Sequence, residues 1–496
     1  MLARSLPALL TTPPGLARKA LFAKKLRLCC HWLDLGPSAA ARHARLPAAA
    51  AEAEARLRET KRLTLLEIVN YYTLARPLWT AEDLGAVFDM LACNLFRPLP
   101  ASSFETHQYT GSVNGGAGGG VGGYTFSPEE DPQVEDLNWA HIQICYELLL
   151  RLVSFLPSPQ SHAAIVANAN DGPTKENPHP EAAPSLAQLQ ASHKLLYGTF
   201  LSRRFLLSLL SNFASEDSRE RDYLKTIVHR IYGQSMVLRP FIRRNIQYLL
   251  LRCCDPGEQL ERTHGLSEML EILGSVINGF AVPLKAAHVQ VLFRRVLIPL
   301  HKMSHLALFH PQLSYACMQF LEKDVSLASE MIVGLLSLWP RRNSKKEVLF
   351  LNELDEILER LPTQALMSPL AQIGMEPPAT PGMLPLPILR ALFARLGSCL
   401  FSLHFQVSEK AIYMLSESML RKIIFFDSTG SEGKDHRKEL MPIVARAIYI
   451  KSDPTPHTTQ ANNNNAQCNT AVQGLRITQH CNSVPAHNTD CVIRMC

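Results

Sequence analysis

FASEDSRERDYLKTIVHRIYG, residues 213–233, and LSEMLEILGSVINGF, residues 266–280, are the two stretches that decide the fold. In the first, Asp217 is followed three positions later by Glu220, a spacing that predicts a capping box and a helix to about Tyr232. In the second, apolar residues at helical spacing predict a stripe that packs into a core: Leu266, Leu270, Leu273 and Ile277. Both stretches therefore predict α-helices.

The second stretch carries more apolar surface than one core requires. Another face of the same helix holds small and apolar residues: Ile272, Ser275, Val276 and Gly279. Nearby, the end of the first helix and the start of the next carry cations and a ring: His229, Arg230, Tyr232 and Arg239. One interpretation is that the cations only cap helix carbonyls and the tyrosine is core. The other is a groove with an apolar floor that binds an extended peptide of alternating apolar and acidic residues.

Composition limits the function classes. With 496 residues, 47% hydrophobic and 19% charged, the chain is too long for one compact core, and several domains or one long solenoid would fit. A net charge of +6 argues against a dedicated nucleic-acid binder. We find no run of about 18 uncharged apolar residues and expect a soluble protein without a membrane span. Twelve cysteines without a CxxC pair indicate reduced thiols, in the cytoplasm or nucleus.

Three regions differ in composition. Residues 1–58 are rich in Ala, Leu and Arg, which is typical of a disordered basic arm, a targeting segment or a wrongly assigned start. Residues 59–450 carry the helical pattern, and residues 451–496 form a polar low-complexity tail. Inserts rich in glycine, proline or polar residues interrupt the helical region: 104–126, 156–184 and 371–386.

Signatures of catalysis and of metal or cofactor binding are missing from the sequence. We find no GxSxG, HExxH or P-loop pattern. A glycine-rich stretch contains a GxGxxG match without the strand and helix that a phosphate loop needs, so it is a linker. The spacing of Cys481, His487 and Cys491 matches no known metal site. We therefore expect no catalytic residues, metal or cofactor.

Four strings resemble the regulatory B-prime subunits of protein phosphatase 2A: SEDSRERDYLKTIVHRIYG (215–233), EILGSVINGFAVPLK (271–285), PLHKMSHLALFHPQLSYACMQFLEKD (299–324) and KKEVLFLNELDEIL (345–358). The resemblance covers roughly residues 60–425 apart from the inserts. It implies an all-α fold, a curved α-solenoid of HEAT-like helical hairpin repeats without catalytic activity. Hairpins that start near 186, 218, 264, 308 and 345 have a spacing of roughly 30 to 45 residues, typical of such repeats.

The resemblance also implies a binding site and partners. Members of this family join the scaffold and catalytic subunits of the phosphatase and hold substrate motifs of the form LxxIxE in a groove between repeats. The matching positions are His229, Arg230, Tyr232, Arg239, Ile272, Ser275, Val276, Lys285 and His288, with Glu271 close by. By resemblance, the motif's Leu and Ile enter apolar pockets, and its acidic or phosphorylated residues meet the cations.

Two further expectations concern assembly. The acidic loop of Glu216, Asp217 and Glu220 either caps a helix or, by resemblance, faces the catalytic subunit. After Phe426 the resemblance ends. An alternative function is therefore a peptide-binding solenoid that no longer assembles with the phosphatase because its C-terminal repeats are incomplete.

Two local patterns complete the expectations. Thr80 with Asp83 and Ser344 with Glu347 have the spacing of capping boxes. The acids of FLNELDEIL, residues 350–358, are expected to form a solvated face. Glu347 is a candidate for an acidic patch near the groove.

Overall fold

The computed structural model describes residues 6–31, 48–75, 80–99, 136, 138–155, 186–254, 264–361 and 386–416. These ranges contain helices and turns and no β-strand, which confirms the predicted all-α class. The predicted inserts at 104–126 and 156–184, nearly all of the third insert and the tail at 451–496 lie outside the described residues. In the described part of the chain, no helix combines the length and hydropathy that a membrane crossing requires.

The chain divides into two compact units, Met1–Gln319 and Phe320–Cys496. The first unit contains the helices α1 Leu16–Cys29, α2 Ala48–Ala75, α3 Ala81–Leu95, α4 Trp139–Phe155, α5 Leu186–Leu195, α6 Arg203–Ser211, α7 Ser218–Gln234, α8 Arg239–Cys253 and α9 Leu266–Asn278. A π-helical segment, His288–Leu297, follows and continues into the α-helical turn Ile298–Leu300. Helix α10, His310–Lys323, contains the last residues of the first unit. The second unit contains α11 Leu327–Ser337, α12 Ser344–Arg360, α13 Leu386–Leu400 and α14 Phe405–Ser416.

Helices of the first unit pack against partners that lie close in the sequence. Helix α4 contacts α2, α3 and α7, and α7 in turn contacts α8 and α9. Aromatic side chains such as Tyr146, Phe213 and Phe293 are fully buried between these helices. Packing of successive helices onto near neighbours is the arrangement of helical repeats, in which each hairpin buries its apolar face on the next. The second unit packs in the same way, with α12 and α13 both against α14.

The N-terminal residues are not a separate arm where the structure describes them. Helix α1 packs against α2 and α3 through a stripe at i, i+3, i+4 and i+7: Phe22, Lys25, Leu26 and Cys29. The side chain of Lys25 is buried and pairs with Glu67 of α2. Helix α2 also begins at Ala48, before the predicted boundary at 59. Residues 6–31 thus pack on the helices that follow through a stripe that their Ala- and Arg-rich composition obscured, and the boundary at 58 stays a prediction.

The capping box at the start of α3 is confirmed. Thr80 Oγ1 accepts a hydrogen bond from the backbone N–H of Asp83 at 3.3 Å, and Asp83 Oδ2 accepts one from the backbone N–H of Thr80 at 3.1 Å. At α7 only half of the predicted box exists. Asp217 is the N-cap and accepts from the backbone N–H of Arg219 at 2.9 Å, whereas Glu220 points into the interior.

The predicted box at α12 is wrong. The N-cap is Asn343, whose Oδ1 accepts from the backbone N–H of Lys346 at 3.1 Å, and Ser344 is the first helical residue. Glu347 instead accepts a hydrogen bond from Trp339 Nε1 at 2.7 Å within the second unit. Asparagine and serine both cap helices well, so the sequence pattern left the start of α12 ambiguous by one residue.

The acids of α12 do not form one solvated face. Glu353 is 1% exposed, and Asp355 pairs with Lys410 of α14 at 2.6 Å. Glu356 bonds to Arg360 one turn further along the helix at 2.9 Å. These carboxylates hold the second unit together, which corrects the expectation of a hydrated face.

Glycine is required where α9 begins. Gly265 is the N-cap of α9 with φ of +80°, a conformation that L side chains rarely adopt. A Cβ atom at this position would lie 2.4 Å from the carbonyl oxygen of Phe213, which precedes α7. The close backbone approach fixes the start of α9 beside α7, and this pair of helices carries the predicted binding residues.

Candidate peptide-binding site

Helices α7 and α9 are joined along their length by polar contacts, one on each turn of α7. Positions 221, 225 and 229 are four residues apart and therefore lie on the same face of the helix. Their contacts with α9 are Arg221–Glu268 at 2.8 Å, Lys225–Glu271 at 2.7 Å and His229–Ser275 at 2.9 Å. We call these three contacts the α7–α9 ladder. The ladder joins two of the predicted groove residues, His229 and Ser275, and it pairs Glu271 with Lys225.

The predicted apolar floor is largely covered in this structure. Ile272 is 1% exposed and Val276 is 6% exposed, so both side chains belong to the core between the helices. Ser275 on the same helix is exposed and is hydrogen-bonded to the exposed ring of His229. The surface that a ligand meets first is therefore the polar rim of the α7–α9 seam.

Arg239 is fixed against the end of α7. Its Nε donates to the carbonyl oxygen of Tyr232 at 2.9 Å, and Nη2 donates to that of Gly233 at 3.1 Å. The guanidinium also lies over the ring of Tyr232, 5.3 Å from its centroid. The capping role that the sequence left open for His229 and Arg230 thus belongs to Arg239. A guanidinium has five N–H donors, and two of them are used here, so Arg239 is held in place with donors to spare.

Arg243 extends this arrangement and was not among the predicted residues. Its Nη1 donates to the hydroxyl of Tyr232 at 3.2 Å, and its guanidinium lies 5.7 Å from the centroid of the Phe280 ring. Phe280 stacks on His288 with 4.1 Å between ring centroids. These contacts make a continuous row, Arg239, Tyr232, Arg243, Phe280 and His288, which we call the Arg–aromatic row. The available sequence signal was the position of Arg243, one turn after Arg239 on α8.

The two histidines of the site are biased towards their neutral forms. Partial burial of the imidazole, and then the charge of Arg230, lower the pKa of His229. Burial and the charges of Arg243 and Lys285 lower the pKa of His288. The positive charge at neutral pH therefore resides on the arginines and on Lys285, which is exposed, as is Arg230.

Two acidic side chains at the start of α7 point into the interior. Glu220 is fully buried, where Arg97 Nη1 and Nη2 each donate to it at 2.9 Å and Tyr146 donates at 2.7 Å. Arg97 also pairs with Asp136 at 2.6 Å. Burial alone would lower the pKa of Arg97, but the hydrogen bonds and charge of Glu220, with those of Asp136, raise it above its usual range.

Asp217 is likewise interior, with 4% of its surface exposed. Burial would raise its pKa, but hydrogen bonds from Arg219 and from the backbone N–H of Asp136 lower it overall. Asp217 and Glu220 thus serve an interior network, whereas Glu216 is half-buried, and the contact of these acids with a catalytic subunit stays a prediction.

Comparisons with known proteins identify a family whose model matches most of this chain. The family model described as protein phosphatase 2A regulatory B subunit (B56 family) matches residues 7–170 and 185–373. The chain is 36% identical over 449 residues to the serine/threonine-protein phosphatase 2A 56 kDa regulatory subunit delta isoform of Oryctolagus cuniculus, covering 90% of this chain and 60% of that protein. It is 34% identical over 432 residues to the alpha isoform of Homo sapiens, covering 87% of this chain and 69% of the relative. The B' eta isoform of Arabidopsis thaliana is 36% identical over 435 residues, with 88% and 67% covered.

The chain thus spans about three fifths of the length of the rabbit and human delta isoforms, at 60% and 59%. The second matched range, 185–373, includes the α7–α9 ladder and the Arg–aromatic row. The first begins at residue 7 and includes α1, in agreement with the packing of that helix on α2 and α3.

Proposed function

The chain belongs to the B56 family of protein phosphatase 2A regulatory B subunits, and from this premise we propose that it is a non-catalytic regulatory subunit that recruits substrates through an LxxIxE-type groove. The observation that carries the proposal is the Arg–aromatic row beside the α7–α9 seam. Cations that are held in place by rings and backbone carbonyls, next to a seam of apolar residues, suit a peptide that alternates apolar and acidic side chains.

The acidic end of the motif binds the cations. Arg239 offers its remaining N–H donors to a carboxylate, and the exposed Arg230 lies one residue beyond His229 on α7. Each charge-assisted hydrogen bond contributes about 1.5–3 kcal/mol. A phosphate on the motif carries more charge and more acceptor oxygens than a carboxylate, so it strengthens binding through the same groups.

The apolar residues of the motif bind along the seam. Tyr232 is half-buried, and Ile272 and Val276 are buried on the same helix as the exposed Ser275. In this proposal the peptide displaces His229 from Ser275, a movement of one exposed side chain, to reach apolar surface at the seam. Burial of two aliphatic side chains contributes roughly 1.5–3 kcal/mol each. Ordering of the peptide offsets much of this gain, so we expect a micromolar affinity, about 8 kcal/mol.

Assembly with the phosphatase scaffold and catalytic subunits is the second part of the proposal. The family membership supports it, and the half-buried Glu216 at the start of α7 is the candidate contact with the catalytic subunit. In this proposal the chain carries no catalytic group of its own. It acts by bringing proteins that contain the motif to the phosphatase.

The test combines two measurements on the full chain. A fluorescent LxxIxE peptide is titrated by anisotropy, and the same preparation is used to co-precipitate purified scaffold and catalytic subunits. Binding in both experiments supports the proposal. Peptide binding without co-precipitation would instead establish the alternative, a motif-binding adaptor uncoupled from the phosphatase.

Controls make the peptide result specific. A peptide whose Leu and Ile are replaced by Ala should fail to bind. Arg342→Glu is the control for net charge, since it reverses the charge of an exposed arginine in the second unit by the same amount as Arg239→Glu. This variant should bind the peptide normally. Absence of peptide binding by the folded wild-type chain would refute the groove.

A further inference from the structure

Two cysteines meet where α1 packs on α3. Cys30 is the residue that follows α1, and Cys93 lies near the end of α3. Asn94, the residue after Cys93, donates from Nδ2 to the carbonyl oxygen of Cys29 at 3.0 Å, which brings the two cysteines side by side, and beyond the effect of burial Cys93 is near enough to Cys30 to raise its pKa. We propose that Cys30 and Cys93 are an oxidation site, at which a peroxide converts the two thiols to a disulfide that ties α1 to α3.

Accessibility separates this pair from the other thiols nearby. Cys93 is exposed and Cys30 is half-buried, whereas Cys29 and Cys145 have no exposed surface. Burial raises the pKa of Cys145 to about 12, and burial followed by the neighbouring Cys93 raises that of Cys30 to about 11. Because Cys93 is the exposed thiol, it meets the peroxide first, and Cys30 resolves the product.

The chemistry balances with hydrogen peroxide as the only oxidant. The Cys93 thiolate sulfur attacks one peroxide oxygen, the O–O bond breaks, and protonation of the leaving hydroxide gives water and a sulfenic acid. The Cys30 sulfur then attacks the Cys93 sulfur. An S–S bond forms, the S–O bond breaks, and the departing hydroxide takes the proton of the Cys30 thiol as a second water. Two thiols are oxidised and one peroxide is reduced to two waters.

Hydrogen bonds tie together the residues next to the two cysteines. Lys61 Nζ donates to the carbonyl oxygen of His31 at 2.8 Å and to Asn94 Oδ1 at 2.6 Å. Asn94 Nδ2 donates to the carbonyl oxygen of Cys29 at 3.0 Å. The residues on either side of Cys30 and the residue after Cys93 are therefore tied into one buried hydrogen-bond network. A disulfide here closes a long loop that includes all of α2, and closure of a long loop restricts the unfolded chain.

Peptide mapping after oxidation tests the proposal. The reduced full chain is treated with hydrogen peroxide, remaining thiols are alkylated, and the digest is analysed without reduction. We expect a cross-linked peptide that contains Cys30 and Cys93, lighter by about 2 Da for the two hydrogens lost. Cys30→Ser and Cys93→Ser should each abolish it. In Cys30→Ser, a sulfenic acid should accumulate on Cys93 and be trapped by dimedone.

Two controls decide the role of the fold. Cys254→Ser removes a half-buried thiol elsewhere in the chain, next to Cys253 in the sequence, and should leave the cross-link unchanged. Oxidation in urea should form the cross-link more slowly than oxidation of the folded chain. Equal rates in urea, or oxidation of Cys93 without a bond to Cys30, would overturn the proposal. The oxidised chain should also melt several degrees higher than the reduced chain, and this increase should be absent in Cys93→Ser.

Discussion

Two arginines of the first unit show how one chemical group serves two purposes. Arg97 is enclosed by the carboxylates of Glu220 and Asp136, and its side chain is 3% exposed. Arg239 is half-buried, and within the described ranges it contacts two backbone carbonyls and a ring but no carboxylate. The first arginine has its charge balanced inside the protein, whereas in our proposal the second keeps its charge for a ligand. The two arginines are distinguished by their partners in the fold rather than by their sequence context.

The largest expected effect comes from removing one carboxylate from the buried ion pair of Arg97. Glu220→Ala leaves Arg97 buried with one carboxylate fewer, and removal of one partner from a buried ion pair costs about 3–5 kcal/mol. We expect the midpoint of urea unfolding, followed by circular dichroism, to fall sharply. Arg239→Ala is the matched variant and should cost less than about 1 kcal/mol. Equal losses from the two variants would show that the contrast between the arginines is false.

The double variant Arg239→Glu with His229→Ala tests the proposed role of Arg239 in peptide binding. The double variant replaces an attractive cation by a repulsive anion and removes a hydrogen-bonding ring from the rim. We expect a loss of about 3 kcal/mol, more than a hundredfold in Kd for an LxxIxE peptide, with helical content unchanged. Normal peptide binding by this variant would place the groove elsewhere on the chain.

A substitution with a smaller expected effect tests the role of Arg243. Arg243→Ala removes the bond to the Tyr232 hydroxyl and the cation over the Phe280 ring, both of which orient the Arg–aromatic row. We expect peptide affinity to fall by about 1 kcal/mol, roughly fivefold, while Arg243→Lys recovers only part of it because lysine lacks the planar fork. Titration of the same peptide measures both variants. Full recovery by lysine would indicate that only net charge matters.

The smallest effect concerns pH. His229 and His288 have lowered pKa values, so both are neutral near pH 7 and gain their charge only as the pH falls below their ordinary range near 6.5. A bound acidic peptide favours the charged ring, and its own carboxylates stay ionised down to about pH 5. Affinity should therefore rise modestly between about pH 7 and 5.5, by less than about threefold. His229→Gln should reduce this rise, and an unchanged profile in that variant would exclude His229 from the effect.

Local patterns in the sequence predicted the elements but not the partners of their polar ends. The helix at α7, the apolar stripe of α9 and the cap at Thr80 depend on residues within a few positions of one another, and these predictions are confirmed. Glu220 had the spacing of a cap residue, yet its partner Arg97 is 123 positions away in the sequence. A pattern of four residues does not contain that information, so the inward turn of Glu220 could not be foreseen.

Predictions from composition and predictions from resemblance missed different features of the structure. The first region was judged by its overall basic character, which hid the short apolar stripe that packs α1 on α3. The residues of the groove came from a resemblance to known motif-binding positions, and most of them meet at the α7–α9 seam or in the Arg–aromatic row. Arg243 was missed because the side chains that connect it, Tyr232 and Phe280, come from separate elements brought together only by folding.

The α7–α9 ladder changes in character along its length, and this sets where the seam can open. Its first two contacts are ion pairs, Arg221–Glu268 and Lys225–Glu271, and its last is a single hydrogen bond between the imidazole of His229 and Ser275. The contact at the end of α7, where we propose that the peptide binds, is therefore weaker than the two at its start. A peptide that displaces His229 from Ser275 exchanges one neutral bond for its own contacts, and the two ion pairs keep the helices in register while it does so.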